Sequence, residues 1–189
     1  MGRAPASRFR LRHAADVLRG GGIVAYPTEA VFGLGCDPLN ERAVMRLLDI
    51  KRRAVDKGLI LIASEWRQLR PFLEPVPDAI REQLDASWPG PVTWVLKAPP
   101  ETPTWLRGQF PTLAVRVTAH PLAAALCAAF GGALVSTSAN ASGRPPARSA
   151  LQTRLRCPGT DLVVPGATGG RRRPSEIRNP YTGARLRAG

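Results

Sequence analysis

The 189-residue sequence holds only three cysteines, Cys36, Cys127 and Cys157. They are widely spaced, with no CxxC pair, so neither a disulfide framework nor a cysteine-built zinc site is indicated, and buried reduced thiols are the expectation. Long apolar runs are missing too. The stretch Leu122–Phe130 is short and Ala-rich, far below the length that spans a bilayer. Arg3, Arg8, Arg10 and Arg12 sit near the N-terminus with no hydrophobic segment behind them, so no secretory leader is read and the expected location is cytoplasmic. Neither GxGxxG nor GxxxxGK[ST] occurs, so any nucleotide must be held without either phosphate-binding fingerprint. Histidine is limited to His13 and His120, both read as structural. Acids are scarce: 14 Asp and Glu stand against 27 Lys and Arg, for a net charge of +13. Such a surface attracts polyanions, including tRNA and other RNA, and releases them as salt rises. Only Lys51, Lys57 and Lys97 are lysines, however, and an arginine excess of this kind also fits genome composition.

An apolar content of 44% describes a globular chain, with no linker or repeat dividing it, and a single α/β domain over 1–189 is the economical expectation. Phe9–Leu18 carries Leu11, Ala14, Ala15 and Leu18 at helical spacing, and Gly20, Gly21 and Gly22 end that helix. Ile23–Tyr26 is a short strand with Pro27, Thr28 and Glu29 at its carboxyl end, where open α/β sheets commonly place ligands. Asn40 caps a helix striped by Val44, Leu47 and Leu48. Trp66–Phe72 and Asp78–Trp88 read as surface helices. Strands are expected at Leu59–Ala63, Val92–Lys97, Leu113–Thr118, Asp161–Val164 and Arg185–Arg187, with helices at Pro121–Phe130 and Ser149–Arg156.

Three features carry chemistry. Ala133, Leu134 and Val135 end a buried strand, and Ser136, Thr137, Ser138, Asn140, Ser142 and Gly143 then read as a loop. Small hydroxyl and amide residues there can aim donors at phosphate or carboxylate oxygens, although such residues also make ordinary polar turns. Lys51, Arg52, Arg53 and Lys57 cluster between a helix end and the next strand, where they serve either the helix dipole or a polyphosphate. Arg116 interrupts an apolar strand, which requires an anionic partner: an acid of the protein, or a ligand carboxylate or phosphate.

With those residues in hand, the chain resembles the YrdC-like family, and in particular its short bacterial synthases. The resemblance rests on Tyr26-Pro27-Thr28-Glu29 with Phe32-Gly33-Leu34-Gly35, Lys51-x-Arg53 with Asp56-Lys57-Gly58-Leu59, and Trp88-Pro89-Gly90-Pro91-Val92-Thr93. Leu113-Ala114-Val115-Arg116, Ser136-Thr137-Ser138-Ala139-Asn140-x-Ser142-Gly143 and Pro174-Ser175-Glu176-Ile177 complete it, in order over nearly the whole chain. It implies an α+β fold built as an open, strongly twisted mixed sheet flanked by helices, with a basic concave face and no C-terminal extension domain. It also implies a reaction of L-threonine, bicarbonate or CO2, and ATP to give threonylcarbamoyl-AMP and pyrophosphate. Downstream threonylcarbamoyl-transferase proteins would pass the group to the adenosine beside the anticodon of tRNAs that read codons starting with A.

Residue by residue, the resemblance implies Thr28, Arg116, Ser136 and Ser175 for threonine, and Arg53, Lys57, Thr112, Ser138, Asn140 and Arg187 for ATP. Lys51 and Arg53 are the expected catalytic cations, with Mg2+ arriving on ATP and no protein metal site. Pro146 stands where longer relatives offer a serine, Ile62 where they offer a histidine, and Ala54 where a proline is common. Rate would come from alignment of the reactants and cationic stabilisation of the phosphates, with no protein nucleophile. Two rival readings are a plain RNA-binding module and a carbamoyl-transfer domain of hydrogenase-maturation type. The latter carries zinc-binding cysteine pairs that are missing here.

Overall fold

The computed structural model describes residues 8–189. Arg3 and the remainder of the first seven positions of the expected 1–189 domain lie outside the described residues. In chain order the elements are α1 (Arg8–Arg19), β1 (Val24–Pro27), β2 (Phe32–Gly35), α2 (Glu41–Lys51), β3 (Ile60–Ala63), α3 (Asp78–Asp85) and β4 (Val92–Lys97). There follow α4 (Thr104–Arg107), β5 (Thr112–Val117), α5 (Pro121–Phe130), β6 (Leu134–Ser138), α6 (Ala150–Arg156), β7 (Leu162–Val163), β8 (Glu176–Arg178) and β9 (Arg185–Arg187). The strands form one sheet in the order β7-β1-β2-β6-β3-β5-β4-β8-β9. Three pairs are parallel (β1 with β7, β3 with β5, β4 with β8) and the other five antiparallel, so the sheet is mixed and its two ends stay open.

Alternation along the strands sends side chains to two cores. Ile23, Ala25, Leu61, Ala63, Val115 and Val135 pack with α2 and with Ile80 and Leu84 of α3 on one face. Val24, Tyr26, Ile62 and Leu134 point the other way, onto Ala14 and Leu18 of α1 and Ala123 and Leu126 of α5. Burying such side chains contributes about 1.5–3 kcal/mol each, which fixes which strand face is which. Among the described residues no helix is long and apolar enough to cross a membrane.

The structure departs from the sequence expectations at a few elements. Trp66–Phe72 is two short 3-10 turns, Trp66–Gln68 and Arg70–Phe72, because Pro71 has no N–H for a continuing α-helix. The helix expected over Asp78–Trp88 stops at Asp85, followed by turns in which Ser87 and Trp88 N–H return to the Leu84 carbonyl oxygen, and Pro89 keeps the helix from resuming. Strands β2 and β8 and the one-turn α4 lie outside the expected elements, the first because Gly33 and Gly35 carry no side chain to mark a period of two.

Candidate active site

The sheet face that α1 and α5 cover near Ile62 and Leu134 continues to Ile60, Ser136, Ala114, Arg116 and Val95, and these line a cavity of about 740 Å3. Register explains the grouping: Ile60 lies between Ser136 of β6 and Ala114 of β5, and Ala114 beside Val95 of β4. Gly33 belongs to the same face. A methyl group there would stand 3.3 Å from both Ser136 Oγ and Thr28 Cγ2, so a larger residue would crowd the cavity wall.

All eleven residues assigned by resemblance line this one cavity: Thr28, Lys51, Arg53, Lys57, Thr112, Arg116, Ser136, Ser138, Asn140, Ser175 and Arg187. Pro146 is there as well, while Ile62 is buried in the second core and His13 and His120 stay outside. His120 caps α5, accepting from the backbone N–H of Ala123, and its Nε2 lies 3.0 Å from the carbonyl oxygen of Ala167.

At the threonine-assigned end the hydroxyls are mostly occupied by the protein itself. Thr28 Oγ1 donates to the carbonyl oxygen of Val31 at 2.7 Å, and Ser175 Oγ is 3.0 Å from Thr93 Oγ1. Arg116 is buried on β5, and its partner is an acid of the protein, Glu29, with Nη2 3.4 Å from Oε2. Burial opposes a charge on Glu29, yet the Arg116 guanidinium, the Thr118 hydroxyl and the backbone N–H of Ala119 outweigh it and hold its carboxyl below the usual range. Arg116 Nε remains buried with no acceptor.

At the other end, Ser136, Thr137 and Ser138 are not loop but the last three residues of β6. Pairing of Gly33 with Ser138 and of Ile60 with Ser136 extends the strand beyond its apolar part. The loop proper begins at Ala139, and Lys51 holds it. Lys51 Nζ donates to the carbonyl oxygens of Ser138 (2.5 Å) and Asn140 (2.8 Å) and to Asn140 Oδ1 (3.3 Å). The Ser142 N–H closes the loop back on the Lys51 carbonyl oxygen at 2.8 Å. An ammonium has three donors, so Lys51 is fully engaged. Burial pulls it down to about 8, with Arg53 acting the same way and Cys157 opposing.

Arg53 donates to the carbonyl oxygens of Lys57 and Gly58, leaving Nε buried without a partner. Arg187 reaches the carbonyl oxygen and hydroxyl of Ser175. Burial lowers both guanidinium groups, and Arg116 and Arg53 press further on Arg187. Mutual repulsion of that kind is relieved by a bound polyanion.

Among the lining side chains the only acid is Glu29, against eight arginines and lysines. The sequence reading missed Arg107, Arg171 and Arg173 of that set. The last two ride on a segment whose backbone docks on the Thr28–Glu29 turn: Gly169 N–H donates to Thr28 O, and Arg171 N–H to Glu29 O, each at 3.0 Å. The glycine-rich basic composition of 166–173 was the available signal. Among the described residues no group of three His, Cys, Asp or Glu side chains could hold a metal ion.

A family model described as "Telomere recombination", covering Sua5, YciO and YrdC, matches residues 16–189. The threonylcarbamoyl-AMP synthase of Halorhodospira halophila is 61% identical over 186 residues, 97% of this chain and 97% of that protein. The threonylcarbamoyl-AMP synthase of Nitrosococcus oceani is 56% identical over 180 residues, 95% of this chain and 97% of that protein. Among solved structures, P. abyssi Sua5 complexed with L-threonine matches with a TM-score of 0.86 and 31% identity, over 92% of this chain and 51% of that one.

Proposed function

The chain belongs to the Sua5, YciO and YrdC family, and on that premise we propose how its cavity performs the family's synthase reaction. The protein is a nucleotidyltransferase: L-threonine, bicarbonate or CO2, and ATP give threonylcarbamoyl-AMP and pyrophosphate. The convergence of residues from the β1–β2 turn, the end of α2, β5, β6, β8 and β9 on one cavity supports the assignment of roles. Its volume falls within the range of about 300–1,000 Å3 usual for ligand sites.

In this proposal the Arg116 guanidinium takes the threonine carboxylate, and Thr28, Ser136 and Ser175 surround the amino acid. Arg53, Lys57 and Arg187, with Thr112 and Ser138, face the triphosphate. Lys51 and Asn140 act by holding the Ser138–Asn140 backbone in place. The carbamate formed on the threonine nitrogen attacks the α-phosphorus through oxygen; the new O–P bond forms as the bond to pyrophosphate breaks in line. Fixed cations that meet the developing phosphate charge without reorganising supply the acceleration. Mg2+ enters as part of the MgATP substrate, held by phosphates and water.

The continuous sheet supports one domain over the described residues 8–189; in this proposal it works in the cytoplasm on behalf of downstream threonylcarbamoyl-transferase proteins, as the family resemblance implies. The +13 charge supports direct contact of exposed arginines with tRNA. Pyrophosphate release is the test. It is expected only when threonine, bicarbonate and ATP are all present, with threonylcarbamoyl-AMP identified by mass; release without threonine would overturn the reading.

A further inference from the structure

The Glu29 carboxylate is divided between two tasks. Oε1 accepts from Thr118 Oγ1 at 2.7 Å and from the Ala119 N–H at 3.1 Å, tying the β1–β2 turn to the end of β5. Oε2 is buried with no hydrogen-bond donor, and the Arg116 ion pair at 3.4 Å falls short of a hydrogen bond. Arg116 Nε beside it is buried without an acceptor. A buried ionised oxygen and a buried guanidinium N–H are both costly to leave unmet. Here they stand as neighbours in the wall of one cavity.

A free α-amino acid presents the complement: a cationic nitrogen and an anionic carboxylate separated by a single carbon. Building on the threonine assignment above, we propose that Glu29 Oε2 receives the α-ammonium of the amino-acid substrate while Arg116 takes its carboxylate. Glu29 is then a substrate-binding residue that orients the nitrogen destined to become the carbamate.

The rigidity of the turn favours this role. Arg171 N–H holds the Glu29 carbonyl oxygen at 3.0 Å, and the Gly169 backbone passes so close that a methyl group there would stand 3.0 Å from Glu29 Cα. With the backbone fixed in this way, the carboxylate can swing to solvent only by giving up its bonds from Thr118 Oγ1 and the Ala119 N–H. As the only acid among the described lining residues, it is also the sole anionic partner the cavity offers an ammonium.

Calorimetric titration separates contact with the nitrogen from mere support of Arg116. The probes are L-threonine and 3-hydroxybutyrate, which is threonine without its amine; the proteins are the wild type and Glu29→Gln. Wild type is expected to prefer threonine by about tenfold or more, the worth of a charge-assisted hydrogen bond. Glu29→Gln is expected to lose that preference while keeping 3-hydroxybutyrate affinity within about twofold. Equal loss for both ligands, or no loss for threonine, overturns the proposal and leaves the threonine site standing. Should Glu29→Gln fail to fold, the wild-type comparison decides alone, since equal affinity for the two ligands overturns it. A wild type that binds no threonine would remove the site assignment itself, and this inference with it.

Discussion

Lys51 is the residue whose sequence reading changed most on folding. A lysine at a helix end beside Arg53 looks like a free cation for phosphate, yet its three donors are committed to Ser138 and Asn140. Below about pH 8 it is charged and holds all three acceptors; above that value it loses the proton and with it one donor. The affinity for ATP, whose phosphates are already ionised there, is therefore expected to fall between pH 7 and pH 9 by about fivefold or more. Lys51→Met should bind ATP weakly at every pH, with the pH step gone. Titration of a non-hydrolysable ATP analogue across that range checks both, and an unchanged step in the variant would show that another group titrates. Arg116 shows the opposite outcome, because an arginine on an apolar strand announced its need for an anion from sequence. Which anion it meets in the fold depended on Glu29, 87 residues away in the chain but 3.4 Å away in space.

At the scale of elements, the Lys-x-Arg spacing has a backbone cause. Asn40 caps the start of α2, its side chain accepting from the Ala43 N–H. The helix then ends on Arg52 in the left-handed region at φ 48°, with Arg53 N–H returning to Leu48 O. That turn brings Lys51 and Arg53 to the same cavity from either side of an exposed residue. Caps and helical stripes of this kind are local, which is why α1, α2 and α5 could be read from sequence within a residue or two. Strand β2 could not, because its glycines answer to other strands. A methyl group on Gly35 would stand 2.6 Å from the Val135 carbonyl oxygen and 2.8 Å from Tyr26 Oη. Gly35→Ala is accordingly expected to cost about 2 kcal/mol by overpacking, lowering the melting midpoint by about 4–8 °C. A thermal melt giving no decrease would mean that β2 and β6 can separate freely.

For the whole molecule, the sign and placement of charge set the behaviour. Positive side chains crowd the cavity while Glu29 and Arg116 lie buried within it. Ionic screening acts on the exposed set far more than on the buried pair. Raising salt from 50 to 500 mM, on the order of a threefold shortening of the Debye length, is expected to weaken ATP binding about tenfold or more and threonine binding by less than about twofold. Parallel titrations at the two salt concentrations check it; equal losses would place the threonine site at the surface.

By itself the sequence determined the kinds of residue available and their order: hydroxyls after an apolar strand, cations after a capped helix, an arginine inside a strand. It also determined the helices α1, α2 and α5, since caps and stripes act over a few residues. Only the tertiary structure decided which acceptors Lys51 satisfies, which oxygen of Glu29 stays unmet, and that β6, β3 and β5 lie side by side to make one wall. The physical reason is that a buried polar group takes the nearest partner in space, and sheet pairing sets those neighbours across separations that no local pattern records.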